Sequence, residues 1–427
     1  MTVPNVVKTG DGYPIHTLVE SDSSSDLQMT LWGAGMTDGG LTGGEKVHSA
    51  TVERQYSSLT VAEYFAGIGL VRMGLQPYGW QVIFANDISR KKFEMYKAFF
   101  PDAEAYYVVA DIFDIDPHIV PSTILATCSF PCKDLSLAGK MRGIINGKHS
   151  SAFWGFIRIL KEQGNSAPPF VLVENVPGWL YSNKGLDFRL TVQALNELGY
   201  ACDAFALDAL CFTPQSRLRI FLVGTRLPVN STTVEFILTR SKSLLPSQLK
   251  KSIITNRDLY WFYNEIPEPP PIKSSGLSDI VELLDDTDSR WWPDDKVQHH
   301  LAMMNETHRH RVEELVSSQQ FVYRIFYRRW QNGQQHVKVK NNDLSGCLVT
   351  GSPRQFLIRI GKGTIRMRDM TPREYARLQG VPDEYPITVN GVQAFTGFGD
   401  AVCVPVISWI TEHVLNPLVI NNVSLYR

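Results

Sequence analysis

The chain has 427 residues, a formal net charge of −1 at pH 7 and 44% hydrophobic residues. This length allows a large core and predicts two domains, and the near-neutral charge means that a polyanion must be met by a local basic surface. The six cysteines are scattered without the paired spacing of a zinc site, which indicates reduced thiols and no metal. No secretion signal or bilayer-spanning apolar stretch is evident, so we expect a cytoplasmic protein without a membrane partner.

Residues 1–57 differ in composition from the rest of the chain. They contain a run of serine and aspartate at 21–26 and a glycine-rich stretch at 33–44. Such segments bury little apolar surface, so we predict a flexible N-terminal arm.

Apolar runs alternate with amphipathic segments between residues 59 and 234. The predicted strands cover 59–65, 81–86, 124–128, 170–174, 201–207 and 219–224, and the predicted helices cover 69–75, 89–100, 151–163 and 188–197. This alternation predicts an α/β fold with a doubly wound, mostly parallel sheet. Ligands on such sheets bind beyond the carboxyl ends of the strands, which is where the candidate motifs fall.

The glycine turn after the first strand is a candidate cofactor site. Gly67 and Gly69 would let the backbone approach a ligand whose adenine could lie on Phe65. Asp87 and Asp111 follow the next two strand regions and could bind ribose hydroxyls and an adenine amino group. A triphosphate-binding loop is missing, so S-adenosylmethionine is the better candidate. The alternative for each acid alone is a helix cap or a solvated turn.

A thiol lies in the loop after the strand that ends at Cys128. Cys132 follows Pro131, and a reactive thiol there would need basic surroundings that lower its pKa. The basic residues that follow it are Lys133, Lys140, Arg142 and Lys148. We interpret this segment as a basic loop over a site.

A buried carboxylate and two guanidiniums are predicted near the same sheet edge. Glu174 ends a strand that should be fully buried, where a carboxylate must be paired or used. Arg217 and Arg219 alternate with an apolar residue and therefore share one strand face. They are either salt-bridge partners of Glu174 or ligand contacts, and the two roles are compatible.

The charge balance reverses along the second half of the chain. Residues 258–296 contain ten acidic and three basic residues, whereas 301–373 contain thirteen basic and five acidic ones, with interleaved aromatics. The reversal favours a nucleic-acid contact surface over an ordinary solvated face. Thr371 and Glu374 have the spacing of a helix capping box.

These motifs together resemble the DNA (cytosine-5)-methyltransferase family. The resemblance covers about 59–227 and 357–415 in the family's motif order. The matching segments are Phe65-Ala66-Gly67 with Gly69, Pro131-Cys132, Glu174-Asn175-Val176, Gln215 with Arg217 and Arg219, Thr371-Pro372-Arg373-Glu374 with 376–380, and 398–402.

The resemblance implies a Rossmann-like S-adenosylmethionine-dependent domain with a smaller, irregular target-recognition domain. The implied boundaries are 58–235 with 395–427 for the catalytic domain, and 236–394 for target recognition and hinge. The implied reaction methylates C5 of a flipped cytosine in a short duplex DNA sequence, through a covalent bond from Cys132 to C6. A bacterial restriction-modification or orphan enzyme, monomeric on double-stranded DNA in the nucleoid, is expected.

The resemblance also implies residue roles. The catalytic residues would be Cys132, Glu174, Arg217 and Arg219. The cofactor-binding residues would be Phe65, Gly67, Gly69, Leu70, Asp87, Ile88, Asp111, Ile112, Pro131, Asp400, Ala401 and Val402. The DNA-binding residues would be Lys133, Ser136, Lys140, Arg142, Arg328, Arg329 and Arg354.

The sequence departs from the family pattern at three positions. Lys133 replaces the glutamine that helps fill the space left by the flipped base. Asp400 replaces an asparagine at the cofactor's amino-acid end. Ile88 replaces an aromatic residue beside the adenine.

Three alternatives remain open at this point. The first is a tRNA cytosine-5 methyltransferase of the same superfamily. The second is a catalytically inactive DNA-binding regulator, against which the intact site residues argue. The third is a cysteine hydrolase, which would need a histidine partner such as His118 or His149, and neither lies in a motif.

Overall fold

A seven-stranded sheet forms the centre of the protein. The computed structural model describes residues 59–132, 151–228 and 234–422, so the predicted arm at 1–57 lies outside the described residues. The strands are β1 (Leu59–Tyr64), β2 (Trp80–Asp87), β3 (Tyr107–Val109), β4 (Leu125–Cys128), β5 (Phe170–Asn175), β6 (Ala201–Asp208) and β7 (Leu218–Thr225). Their order in the sheet is β3-β2-β1-β4-β5-β7-β6.

The pairing is parallel from β3 to β5 and antiparallel on both sides of β7. The predicted α/β fold with a mostly parallel sheet is therefore confirmed. The six predicted strands match observed ones to within about two residues at each end. The short strand β3 was not predicted, because three residues are too few to display a hydrophobic period.

Helices cover both faces of this sheet. They are α1 (Leu70–Leu75), α2 (Arg90–Phe99), α3 (Ala152–Gln163) and α4 (Leu186–Glu197), and three more follow β7: α5 (Val234–Ile237), α6 (Ser247–Thr255) and α7 (Leu277–Ile280). Successive residues of β5 belong to different cores, with Phe170 and Leu172 in one and Val171 and Val173 in the other. Period-2 alternation between two apolar faces explains why this strand is buried along its whole length.

A second, four-stranded sheet lies in the basic half of the chain. Helices α8 (Asp294–Ala302) and α9 (Glu306–Val316) precede strands β8 (Val322–Gln331), β9 (Gln334–Val339), β10 (Gln355–Gly361) and β11 (Thr364–Asp369). The strand order is β11-β10-β8-β9, and all pairs are antiparallel. Trp292, Phe326, Phe356 and Ile358 build a separate core here. This region therefore contains a four-stranded antiparallel sheet, a feature that the sequence analysis did not specify.

The chain then returns to the first sheet through helices α10 (Pro372–Leu378), α11 (Gly391–Asp400), α12 (Val404–Ile410) and α13 (Asn416–Asn422). Within it, the stretch from Gly391 to Ile420 is long and apolar enough to cross a membrane by length and composition alone, which the sequence analysis did not anticipate. Inside the protein, 61% of its most apolar window is buried, as in the core helix of a folded domain.

The predicted capping box at the start of α10 is present. The Thr371 hydroxyl accepts a hydrogen bond from the Glu374 backbone N–H, and Glu374 Oε2 accepts one from the Thr371 backbone N–H. Glu374 also forms a fully buried ion pair with Arg368 at the end of β11, with an Nη1–Oε2 distance of 2.9 Å. This pair joins the second sheet to the helix that leads back to the first.

We expect substitution of Arg368 by methionine to lower the free energy of unfolding by about 3–5 kcal/mol, because the buried Glu374 carboxylate would lose its charge partner. Denaturant unfolding followed by circular dichroism measures this. Arg366→Met is the matched control, since that side chain is 36% exposed and lies 3.9 Å from Asp286. The control should change stability by less than about 0.5 kcal/mol. Equal effects of the two substitutions would contradict the assignment of the buried pair.

A buried carboxyl group in β1 predicts a pH dependence of stability. Glu63 is fully buried, Tyr96 donates a hydrogen bond to its Oε2 at 3.0 Å, and burial raises its pKa to about 8. The folded state therefore keeps a proton that the unfolded state releases above its ordinary pKa near 4.5. The stabilisation is complete below that value, falls by about 1.4 kcal/mol per pH unit as the pH rises, and is lost above pH 8.

Substitution of Glu63 by the uncharged isostere glutamine should flatten this dependence. Unfolding free energies measured between pH 5.5 and 8.5 would test it. Glu104→Gln, in an exposed pair with Lys97, should leave the slope unchanged. A slope that is the same in Glu63→Gln and in the parent protein would show that Glu63 is ionised throughout this range.

Candidate active site

The carboxyl ends of the central parallel strands meet at one edge of the first sheet. Tyr64 at the end of β1 is paired with Cys128 at the end of β4, and Cys128 is paired with Val173 near the end of β5. The glycine turn and Cys132 lie in the loops that follow β1 and β4, and Glu174 lies at the end of β5. The sheet thus brings together motifs that are separated by about forty to sixty residues in sequence.

The residues that lead to Cys132 are held from two sides at Phe130. The ring of Phe130 is buried against Phe153 and Trp179, with centroid distances of 5.2 and 5.9 Å. From β5, Asn175 Nδ2 donates a hydrogen bond to the Phe130 carbonyl at 3.1 Å. The side-chain amide of Asn175 therefore holds the backbone at Phe130, two residues before Cys132. This role is evident from the tertiary contact and could not be derived from the sequence motif alone.

The thiol of Cys132 is partly exposed and lies among charged groups. Burial raises its pKa, the guanidiniums of Arg219 and Arg217 lower it, and the carboxylates of Glu174 and Asp400 raise it. The net direction is upward, whereas the sequence predicted a lowered pKa. The basic residues behind that prediction (Lys133, Lys140, Arg142 and Lys148) lie outside the described residues. In the state described here, the thiol is the favoured form near neutral pH.

Glu174 and Arg219 form an ion pair beside this thiol. Their Oε1 and Nε atoms are 3.1 Å apart, and both side chains are nearly buried. Burial raises the pKa of Glu174, opposed by the charges of Arg219 and Arg217 and by a hydrogen bond from Ser129. The carboxyl group is therefore easier to protonate than an ordinary glutamate, which suits a group that donates a hydrogen bond to a bound base.

Arg217 contacts backbone carbonyls and not the Glu174 carboxylate. Its Nη2 donates to the carbonyls of Gly399 at 3.0 Å and Ala401 at 2.6 Å, and its Nη1 donates to that of Leu348 at 3.3 Å. Of the two candidate salt-bridge partners of Glu174, Arg219 forms the ion pair, and Arg217 acts on the carboxylate through its charge. Its hydrogen bonds hold the segment after α11 against the edge of the sheet.

Two buried glutamines complete this junction. Gln215 Nε2 donates to the Leu378 carbonyl at 2.9 Å, and Gln379 Nε2 donates to the Phe398 carbonyl at 2.6 Å. Both residues lie in the quoted motifs, but their role as links between distant segments could not be derived from spacing. A buried side-chain amide needs hydrogen-bond partners. The burial of Gln215 and Gln379 is therefore the only signal that could have indicated that they link distant segments.

The glycine turn forms an open cradle next to Asp87. Gly67 has a φ of 57°, and a Cβ at this position would meet only the Phe65 carbonyl oxygen, at 3.8 Å. Its backbone N–H donates to Asp87 Oδ2 at 3.1 Å, while Asp87 Oδ1 accepts from the Ser89 N–H. Phe65 itself has a positive φ of 58°, which a phenylalanine rarely adopts without a local constraint. Space at a glycine beside a buried acid fits the adenosine portion of S-adenosylmethionine.

The remaining predicted cofactor residues fall into two groups. Leu70, Ile112 and Val402 are buried in the hydrophobic cores, so only their backbones could face a ligand. In contrast, Ile88 is 68% exposed. The others are Gly69 at the start of α1, Asp111 as the cap of a 3-10 turn, Pro131 in the cysteine loop, and Asp400 and Ala401 at the end of α11.

Sequence reasoning missed two further polar residues near this edge. Lys92 in α2 forms an ion pair with Asp400, with an Nζ–Oδ2 distance of 2.9 Å. Cys347 lies with its Sγ 3.4 Å from Arg217 Nη1. Burial acts to raise the pKa of Cys347, but the charges of Arg217 and Arg219 outweigh it and lower that pKa. Neither residue lies in a motif that carries the family resemblance.

The predicted DNA contacts are only partly within the described residues. Lys133, Ser136, Lys140 and Arg142 lie outside them. Arg328 and Arg329 are exposed on β8, where their guanidiniums lie 4.7 Å from the Phe356 ring centroid and 5.6 Å from that of Tyr327. Arg354 is exposed just before β10.

This strand order, with its antiparallel β7, is that of the S-adenosylmethionine-dependent methyltransferase fold. The family model of C-5 cytosine-specific DNA methylases matches residues 59–416. The chain belongs to this family.

Relatives agree with this assignment. Type II methyltransferase M1.ScrFI of Lactococcus lactis subsp. cremoris is 27% identical over 86% of this chain and 80% of the relative. Type II methyltransferase M.SsoII of Shigella sonnei is 28% identical over 83% and 80%. The structure of the Entamoeba histolytica methyltransferase EhMeth covers 84% of this chain and 99% of its own, with a TM-score of 0.56 and 16% identity, and thus supports the fold.

Proposed function

We propose that this enzyme methylates C5 of a cytosine flipped out of a short, specific duplex DNA sequence, through a covalent bond between Cys132 and C6. The observation that carries the proposal is the convergence of Cys132, Glu174 and Arg219 at one sheet edge beside the open cradle at Gly67. A nucleophile, a protonatable carboxyl and a fixed cation are the groups that this reaction needs.

Cytosine C5 is a weak nucleophile, and the role of Cys132 is to change that. Attack of its thiolate on C6 saturates the C5–C6 bond and turns the ring into an enamine, with electron density at C5. Once C5 carries the methyl group, a base, for which a water molecule is the candidate, takes the C5 proton. The electron pair of that C–H bond restores the C5–C6 double bond and the thiolate of Cys132 leaves. Burial raises the pKa of Cys132, and the guanidiniums of Arg219 and Arg217 act in the opposite direction, so these two cations are the groups of the site that favour the thiolate.

Glu174 and Arg219 would stabilise the ring during attack. A protonated Glu174 can donate to N3, so that negative charge does not build up there. Arg219 can bind the neighbouring O2 oxygen while it holds the carboxyl in place. Arg217 would act as a positioning residue, since it holds the backbone of Gly399 and Ala401.

The residues around the glycine turn would hold the cofactor. When bound, S-adenosylmethionine supplies an electrophilic methyl group. Asp87 would bind the ribose hydroxyls, Asp111 would bind the adenine amino group, and Phe65 would contact the adenine face. The exposed Ile88 would form a thinner wall than an aromatic side chain does.

The basic second sheet would contact the DNA backbone. Arg328, Arg329 and Arg354 are exposed on it, and Trp330 on the same strand is 74% exposed. Phosphate contacts of this kind position a protein on a duplex. The target base must leave the stack, because C5 and C6 cannot be reached by these groups within a duplex. We propose that the protein acts as a monomer and, like the type II relatives, on a defined sequence.

The test is transfer of a labelled methyl group from S-adenosylmethionine to unmethylated genomic DNA, with total tRNA in a parallel reaction. Label in DNA as 5-methylcytosine is the expected result. Label in tRNA alone would replace DNA by tRNA as the substrate. Absence of label in both, with duplex binding retained, would favour an inactive DNA-binding regulator.

A further inference from the structure

The ion pair between Lys92 and Asp400 lies near Asp87 and the thiol of Cys132. Lys92 Nζ and Asp400 Oδ2 are 2.9 Å apart, and the two side chains are 22% and 33% exposed. Both side chains are therefore partly exposed. Asp400 is also one of the three positions at which this chain departs from the family pattern.

Helix electrostatics does not explain the position of either charge. Lys92 is in the first turn of α2, and Asp400 is the last residue of α11. A helix N-terminus favours anions and a helix C-terminus favours cations, so each charge sits at the end that disfavours it. Each charge is instead offset by the other, and a ligand that carries both opposite charges would complement the pair.

The surroundings of Lys92 connect the cradle to the nucleophile. Burial acts to lower the pKa of Lys92. The charges of Asp87, Asp400 and Cys132 outweigh burial and raise that pKa above its ordinary value. Asp400 in turn acts on the thiol of Cys132. The pair is thus close enough to the acid that would bind the ribose and to the thiol that would attack cytosine for their charges to act on one another.

Resting on the proposed function, we propose that Lys92 and Asp400 together bind the amino-acid end of S-adenosylmethionine. That end is a zwitterion, with an α-carboxylate and an α-ammonium on the same carbon. The Lys92 ammonium would bind the carboxylate, and the Asp400 carboxylate would bind the ammonium. In this protein, a charged lysine–aspartate pair would bind the part of the cofactor beside which the family has a neutral asparagine.

The competing explanation is an ion pair that only holds α2 and α11 together. Loss of such a structural contact would destabilise the fold, or would lower the affinity for every adenosine ligand by the same factor. Recognition of the zwitterion would instead discriminate between ligands that carry the amino-acid charges and ligands that lack them. The two explanations therefore differ in ligand dependence and not only in the size of the effect.

The experiment is isothermal titration calorimetry on the full chain with three ligands. The ligands are S-adenosylhomocysteine, its decarboxylated analogue and its deaminated analogue, and the variants are Lys92→Met, Asp400→Asn and the control Lys91→Met. Lys91 is an exposed neighbour on the same helix. Melting temperatures of all variants identify any that are misfolded.

Lys92→Met should weaken S-adenosylhomocysteine and the deaminated analogue by about tenfold or more, the range of a charge-assisted hydrogen bond, and leave the decarboxylated analogue unchanged. Asp400→Asn should weaken only the ligands that keep the ammonium, and Lys91→Met should bind as the parent does. Equal losses of affinity for all three ligands, or no loss for any of them, would overturn this inference and leave the proposed function intact. Failure of the parent protein to bind S-adenosylhomocysteine would overturn the proposed function as well.

Discussion

Replacement of Cys132 by alanine should abolish methyl transfer while duplex DNA binding is retained. The thiol is the nucleophile in the proposed reaction, and loss of such a group costs about a thousandfold or more in rate. Binding should survive because the basic surface on β8 and the loop before β10 does not involve this side chain. Rates with labelled S-adenosylmethionine and affinities from a mobility-shift assay would measure the two effects separately.

Cys211→Ala is the matched control, because it removes a buried thiol that lies outside the site. It should transfer methyl groups at close to the parent rate. Measurable transfer by Cys132→Ala above about one per cent of the parent rate would rule out an obligatory covalent step through this residue.

Substitution of Glu174 by glutamine should lower the rate of transfer by about 10²–10⁴-fold, the usual contribution of a positioned acid. Glutamine keeps the size of the side chain but cannot give a proton to N3. It also leaves the nearly buried Arg219 without its charge partner. The control Glu197→Gln, on the exposed end of α4, should have no effect on rate.

The pH dependence provides a second readout of Glu174. Because burial raises the pKa of this carboxyl, its protonated fraction at a given pH exceeds that of a free glutamate. A rate that depends on the protonated form falls as the pH rises through the raised pKa. This falling limb should be present in the parent enzyme and missing in Glu174→Gln. A falling limb that persists in the variant would assign it to another group.

The first sheet was predictable because its strands are buried on both faces and separated by amphipathic helices. Phe170 to Val173 contribute to two cores, which gives an unbroken apolar run that sequence alone reveals. The second sheet was harder, because β8 ends in exposed residues from Arg328 onward and loses its alternation there. The turn at Asn332 and Gly333, both with positive φ, is a hairpin signal that could have indicated it.

The site was predictable as a set of residues but not as a set of contacts. The alternation of Arg217 and Arg219 placed both at one strand face, yet only Arg219 reaches Glu174. Arg217 is drawn to carbonyls at Leu348, Gly399 and Ala401, more than a hundred residues away in sequence. Lys92 was missed for the same reason, since its partner Asp400 comes from the opposite end of the chain.

The central claim is the covalent bond between Cys132 and C6, and trapping it is the most direct test. The full chain would be incubated with S-adenosylmethionine and a duplex pool in which 5-fluorocytosine replaces cytosine. Fluorine occupies the position of the proton whose loss releases the enzyme, so the adduct should accumulate. We predict a denaturation-resistant complex whose DNA maps to the peptide that contains Cys132. An adduct at another residue, or none under conditions where ordinary DNA is methylated, would contradict the mechanism.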